Sequence, residues 1–123
     1  ALALKGEDIT IYGDGTQTRT FTYIDDNIDT IVTIMNNKLL ENDVINIGSD
    51  KLMTVLDLAN LVIKLTNSKS QIVHLPPLKE GDMTRRQPDN TKMREILGRE
   101  LISVEEGIKR MMTSQKYLQS IGL

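Results

Sequence analysis

The apolar residues of this chain change period several times along its length, and that alternation restricts it to folds in which short strands and amphipathic helices take turns. Residues 8–12, Asp-Ile-Thr-Ile-Tyr, alternate polar and apolar before Gly13-Asp14-Gly15, as a strand does on entering a tight turn where glycine tolerates positive φ. Thr20-Phe21-Thr22-Tyr23 is a second β-rich stretch. The period then becomes helical: Ile28, Ile31, Val32 and Met35 recur at i, i+3, i+4 and i+7, with Asp25 or Asp26 available as N-cap. Residues 43–48, Asp-Val-Ile-Asn-Ile-Gly, are rich in β-branched side chains and too few for a helix, so they read as a short buried strand.

A second helix opens at Thr54, whose spacing to Asp57 is that of a capping box, and carries Val55, Leu58, Ala59, Val62 and Leu65 on one stripe. Residues 71–75 read as a strand ended by Pro76-Pro77, which removes two amide donors. From Pro76 to Pro88 the chain is polar, charged and without period, a loop of a length that is often functional. A short helix follows over Thr91–Leu97, capped by Asp89 or Asn90 and stopped at Gly98. The last begins at Ser103, paired with Glu106 as a capping box, and runs towards Gln119 with Ile108, Met111 and Met112 inward. The expected architecture is therefore α/β, a small mixed domain of short strands and about four helices around one core.

Charge and composition narrow the functions open to such a domain. Fifteen Lys plus Arg against seventeen Asp plus Glu leave a net charge of −2, so no broad positive field is available for nucleic acid or acidic membranes. Any anion site has to be local. Cysteine is absent, which removes disulfides and thiolate chemistry and suits a reducing, cytoplasmic setting. No apolar run approaches the roughly 18 residues of a membrane span, and the start lacks the layout of a signal peptide. The first residue is Ala1 rather than Met, which is what a processed product or a fragment would show.

Catalytic motifs are scarce. The chain holds no glycine-rich strand-to-helix fingerprint for a dinucleotide and no phosphate-binding loop of the GxxxxGK type. Gly13-Asp14-Gly15 leads into a β-rich stretch rather than into a helix whose amino end could face a pyrophosphate. His74 is the single histidine, set between Val73 and Leu75 with no second histidine to share a metal, and reads as structural. Arg19 follows a glycine turn, where it can reach across a loop mouth to an anion or else pair with Asp25 or Asp26. Arg85 and Arg86 lie in the long loop near Lys79, suited to bidentate phosphoryl contacts, or equally to a solvated run partly neutralised by Glu80 and Asp82.

The string GEDITIYGDGTQTRTFTYIDD resembles the segment that opens the substrate-binding part of NAD-dependent nucleotide-sugar epimerases, dehydratases and decarboxylases, the extended short-chain dehydrogenase/reductase family. Further landmarks follow in the same order: Asn46-Ile47-Gly48, the helix from Thr54, Lys69-Ser70, the arginine-rich loop ending in Pro88-Asp89, Leu97-Gly98, and Ser103 with Glu105-Glu106-Gly107. The loop from Asp82 to Asp89 is similar to that of the UDP-glucuronate decarboxylase branch, with Met83 where that branch usually has proline. UDP-hexose or hexuronate epimerases and dTDP-sugar dehydratases share much of the pattern.

The resemblance implies a C-terminal cap that binds a UDP-sugar. It matches Thr10 and Tyr12 to positions whose backbone bonds the uracil, Arg19 and Arg86 to arginines that clamp the diphosphate, and Asp82 to an acid near the ribose hydroxyls. Arg85 is left supporting or exposed. It implies no catalytic residue in this chain, since no Tyr-x-x-x-Lys occurs: Tyr12, Tyr23 and Tyr117 are followed four residues later by Thr16, Asn27 and Ile121. The catalytic pair and the NAD site would lie in an N-terminal Rossmann domain outside these residues, so that the chain by itself is expected to be inactive. The intact enzyme would be a homodimer formed through helices outside the segment. A free-standing binding or interaction module with the same architecture is the rival reading.

Overall fold

A computed structural model describes residues 1–78 and 85–123. After a single helical turn, α1 (Leu2–Lys5), come β1 (Ile9–Tyr12), β2 (Thr18–Thr20), α2 (Ile24–Asn37), β3 (Leu52–Thr54), α3 (Val55–Thr66) and β4 (Ile72–Leu75). Beyond the long loop lie α4 (Thr91–Leu97), α5 (Val104–Thr113) and α6 (Gln115–Ser120). β1 pairs in parallel with β4, Ile9 opposite Ile72 through Tyr12 opposite Leu75. β2 pairs antiparallel with β3, placing Arg19 opposite Met53.

Local signals formed what they specify. Thr54 Oγ1 accepts the Asp57 amide at 2.9 Å and starts α3, and Ser103 Oγ accepts the Glu106 amide at 3.2 Å and starts α5. Gly13 and Gly15 adopt φ of 69° and 78° in the turn after β1. At Gly15 a Cβ would lie 3.1 Å from Leu56 Cβ, so that turn is glycine-dependent both for its backbone angle and for its close packing on α3.

Four expectations need correction. The final helix is two helices, because Ser114 leaves the helical region at ψ 108° and its hydroxyl caps α6 through the Tyr117 amide; with α1 this makes six helices among the described residues rather than about four. The second strand lies at Thr18–Thr20, earlier than the Thr20–Tyr23 stretch, since its register is set by β3. Residues 43–48 form no strand, because no described strand lies beside them. Neither Asp25 nor Asp26 caps α2, whose N-cap is Tyr23.

The sense of α2 is the largest difference. Ile28, Ile31, Val32 and Met35, the stripe that should face a core, are exposed, while Asp26 and Thr30 on the opposite side are fully buried. α2 turns that polar side to α4, where Met93 is fully buried. Asp26 is accommodated because Arg99 Nη1 and the Ile102 amide donate to its two oxygens at 2.6 and 2.9 Å.

Candidate functional site

Arg19 and Arg86 line one polar cavity of about 770 Å³. The β2–β3 pairing carries Arg19, whose Nη1 donates to the Thr18 carbonyl at 2.8 Å. Arg86 is held at the far end of the long loop, where Arg85 forms an isolated bridge with Thr18. Thr20, Thr22, residues 45–48 and Gln87 to Asp89 complete the wall.

Side-chain amides hold that wall together. Gln87 Nε2 donates to the Asp50 carbonyl at 2.6 Å, while its Oε1 accepts from Arg85 Nη2 at 2.6 Å. Asn90 Nδ2 donates to the Gly48 carbonyl at 2.9 Å, Asn46 Nδ2 reaches the Asp89 carbonyl at 3.3 Å, and Thr22 Oγ1 accepts the Ser49 amide at 2.7 Å. A Cβ on Gly48 would stand 3.2 Å from Pro88 Cγ, so the two segments approach where a larger residue would push them apart. Gln87 carries no signal in the sequence beyond its place near the arginines, and Asn90 reads there only as a candidate helix cap. Their role depends on partners some 40 residues away.

The carboxylates nearest the arginines are each bonded to a neighbour. The Asp89 carboxyl, at the wall, is held below its ordinary value chiefly by the Thr91 amide and then by the Thr91 hydroxyl, at 3.0 and 2.7 Å, so its charge is already engaged. Asp50 is likewise lowered, first by its hydrogen bond from Arg94 at 3.0 Å. Two guanidinium forks on one polar cavity suit a phosphoryl or diphosphate group, which accepts charge-assisted bidentate bonds.

The other predicted residues lie elsewhere or beyond description. Thr10 and Tyr12 are on β1 and do not line the arginine cavity. The Ile9 and Gly13 amides donate to Gln71 and Leu75 carbonyls on the β4 side. Peptide groups alternate in direction along a strand, so those of Thr10 and Tyr12 face the other edge; there the Tyr12 carbonyl accepts Gln17 Nε2 at 3.3 Å. Asp82 and Lys79 fall outside the described residues. His74 Nδ1 sits 2.8 Å from the Gly13 carbonyl, the place of a donor that steadies the turn. Asp26 pairs with Arg99 and Asp25 with Arg110, so neither is the partner suggested for Arg19.

Gly13-Asp14-Gly15 runs into β2 rather than into the amino end of a helix, so this turn does not fit a dinucleotide pyrophosphate. Among the described residues no cluster of three His, Asp or Glu side chains is placed to hold a metal ion, and no helix is long and apolar enough to cross a membrane.

A sequence profile of the NAD dependent epimerase/dehydratase family matches residues 1–48. A UDP-N-acetyl-alpha-D-glucosaminuronate decarboxylase of Bacillus cytotoxicus is 37% identical over 113 residues, 87% of this chain and 35% of that protein. UDP-glucuronic acid decarboxylase 1 of Danio rerio is 38% identical over 109 residues, 88% of this chain and 25% of that protein. The crystal structure of a Thermotoga maritima UDP-glucose 4-epimerase with UDP-glucose superimposes with a TM-score of 0.81 at 34% identity, covering 98% of this chain and 37% of that one. The chain is similar to members of the NAD-dependent epimerase/dehydratase family over most of its length. It spans about a third or less of the length of the curated relatives it matches. The likeness to that epimerase extends over nearly all of this chain.

Proposed function

We propose that residues 1–123 are the UDP-sugar-binding, C-terminal domain of an NAD-dependent nucleotide-sugar enzyme of the UDP-glucuronate decarboxylase type. The observation that carries this reading is the shared cavity of Arg19 and Arg86, with the two decarboxylase relatives as support for the sugar class. In this reading the arginines grip the diphosphate, the outward backbone edge of Thr10 and Tyr12 takes the uracil, and Asp82 takes the ribose. Binding energy gathered on that remote handle orients the sugar towards chemistry performed elsewhere in the enzyme. NAD and the catalytic residues belong to a preceding Rossmann domain, and no reaction step is assigned to this chain's own side chains.

Calorimetric titration of UDP into the chain tests the site. UDP should bind, and Arg86→Ala should weaken it by roughly tenfold or more, the worth of one charge-assisted contact, with an unchanged thermal melt. Equal affinity in the folded variant would remove Arg86 from the site.

A further inference from the structure

Of the adjacent arginines 85 and 86, only Arg86 lines the polar cavity. The residues on either side of it are each tied to another part of the fold. Arg85 makes an isolated parallel bridge with Thr18, the residue next to Arg19, and Thr18 is itself in register with Thr54 on β3. Gln87 makes two short side-chain bonds: its Nε2 donates to the Asp50 carbonyl and its Oε1 accepts Arg85 Nη2, both at 2.6 Å. Pro88 follows and restricts the Gln87 backbone to extended angles. Side chains two apart on an extended segment share a side, which lets Gln87 reach Arg85 across Arg86.

Both anchor points are firm. Segment 48–50 is fastened to α4 by three bonds: Asn90 Nδ2 donates to the Gly48 carbonyl at 2.9 Å, the Gly48 amide to Met93 Sδ at 3.2 Å, and Arg94 Nη2 to Asp50 Oδ1 at 3.0 Å. Met93 is fully buried, so the Asp50 carbonyl that receives Gln87 is held from the core. Thr18 is held by the β2–β3 pairing. Arg86 therefore sits between two fixed points, one of which adjoins Arg19.

We propose that Gln87 is a positioning residue that sets the spacing of Arg19 and Arg86, with Arg85 its brace rather than a ligand, so that the cavity prefers a nucleoside diphosphate to a monophosphate. This rests on the reading that the two arginines grip a diphosphate. Two phosphoryl groups joined through one oxygen offer acceptors at a set separation, and two guanidinium forks held at a set separation can engage both. A single phosphoryl group fills one fork and is indifferent to where the other stands. An unbraced loop arginine would also lose freedom when it closes on the ligand, a cost that the Gln87 bonds remove in advance. Arg85 and Gln87 are both exposed, so neutral substitutions there leave the core untouched.

The test is calorimetric titration of UDP, UMP and inorganic pyrophosphate into the full polypeptide that carries residues 1–123, as parent, Gln87→Met, Arg85→Met and the double variant. Gln87→Met keeps the length of the side chain and removes both bonds. It should weaken UDP and pyrophosphate roughly tenfold, the worth of one charge-assisted contact, while UMP changes by less than about twofold and the thermal melt matches the parent's. Because Arg85 acts through Gln87, Arg85→Met should weaken UDP as well, and the double variant should bind no worse than the weaker single variant. Losses that add in the double variant would overturn the brace and make Arg85 a ligand in its own right. A UDP-to-UMP preference unchanged in Gln87→Met would overturn the positioning role and leave the diphosphate reading in place. Pyrophosphate binding that depends on Gln87 but gains nothing from the uridine of UDP would remove the nucleotide reading and leave the positioning role standing. A parent that binds neither UDP nor pyrophosphate would overturn both.

Discussion

Arg99 Nη1 lies 2.6 Å from Asp26 Oδ1, across 73 residues of chain, and its Nη2 reaches Asp29 at 2.6 Å. One guanidinium thus closes the segment after α4 onto two turns of α2. Asp26 has no exposed surface, so its charge depends on that fork and on the Ile102 amide.

Asp26→Asn should lower the thermal midpoint by roughly 5–10 °C, because the amide nitrogen it introduces would face one of two donors, Arg99 Nη1 or the Ile102 amide, at a buried position. Asp29→Asn, at the exposed end of the same fork, should shift it by only about 2 °C. Circular dichroism melts of the two variants decide the matter; equal small shifts would show that the clasp contributes little.

Gly107→Ala is a case in which two local rules oppose one another. Alanine stabilises a helix interior by about 1 kcal/mol relative to glycine, yet a Cβ here would stand 2.9 Å from Tyr23 Cδ2 in the α5 packing. The clash should win, with a net loss of about 1–2 kcal/mol in urea unfolding. A gain in stability would mean that Tyr23 gives way freely.

Asn90→Ala should weaken UDP binding without removing any group that touches the ligand. Its amide holds the Gly48 carbonyl at 2.9 Å and with it one wall of the arginine cavity. A stability loss of about 1–3 kcal/mol is expected from the stranded buried carbonyl. Calorimetry at a temperature where the variant is fully folded separates the two effects; unchanged affinity there would place Asn90 in the fold only.

Acid should destabilise the domain in a defined window. Asp43 is lowered by its bond from Lys92, Asp50 by Arg94 and Asp89 by the Thr91 amide, all below the ordinary 3.8. A carboxyl with a lowered folded-state value binds its proton more readily when unfolded. Its contribution is therefore complete above the ordinary value and is lost as pH falls through the lower folded-state value. Urea midpoints should be flat near neutrality and drop below about pH 4, with a shallower drop in Asp50→Asn. Identical slopes in variant and parent would exclude the Asp50–Arg94 pair as a contributor.

Legibility differed by element for reasons that follow from range. The starts of α3 and α5 could be read because the capping hydroxyl and the amide it accepts are three residues apart. The turn at Gly13 and Gly15 was equally local. Residues 43–48 have strand composition, but a strand exists only beside another, and no described strand lies beside them. The ionic clasp of Asp26 could not be read, because an aspartate next to an aspartate looks like a helix-opening pair until Arg99 is brought to it. Arg19 and Arg86 were singled out from residue type and resemblance; their shared cavity depends on the Gln87 and Asn90 bonds, which no local pattern encodes.

By itself the sequence determined what is decided within a few residues: where helices start and stop, which turns require glycine, and that α2 has an apolar side. Only the tertiary structure decided which side of α2 faces inward, that β2 pairs with β3 and β1 with β4, and that two arginines 67 residues apart meet one cavity. The physical reason is that periodicity and capping are properties of a segment, whereas burial is a property of what lies across from it. Here a buried aspartate with two donors faces inward while two isoleucines, a valine and a methionine on the other side of the same helix stay exposed.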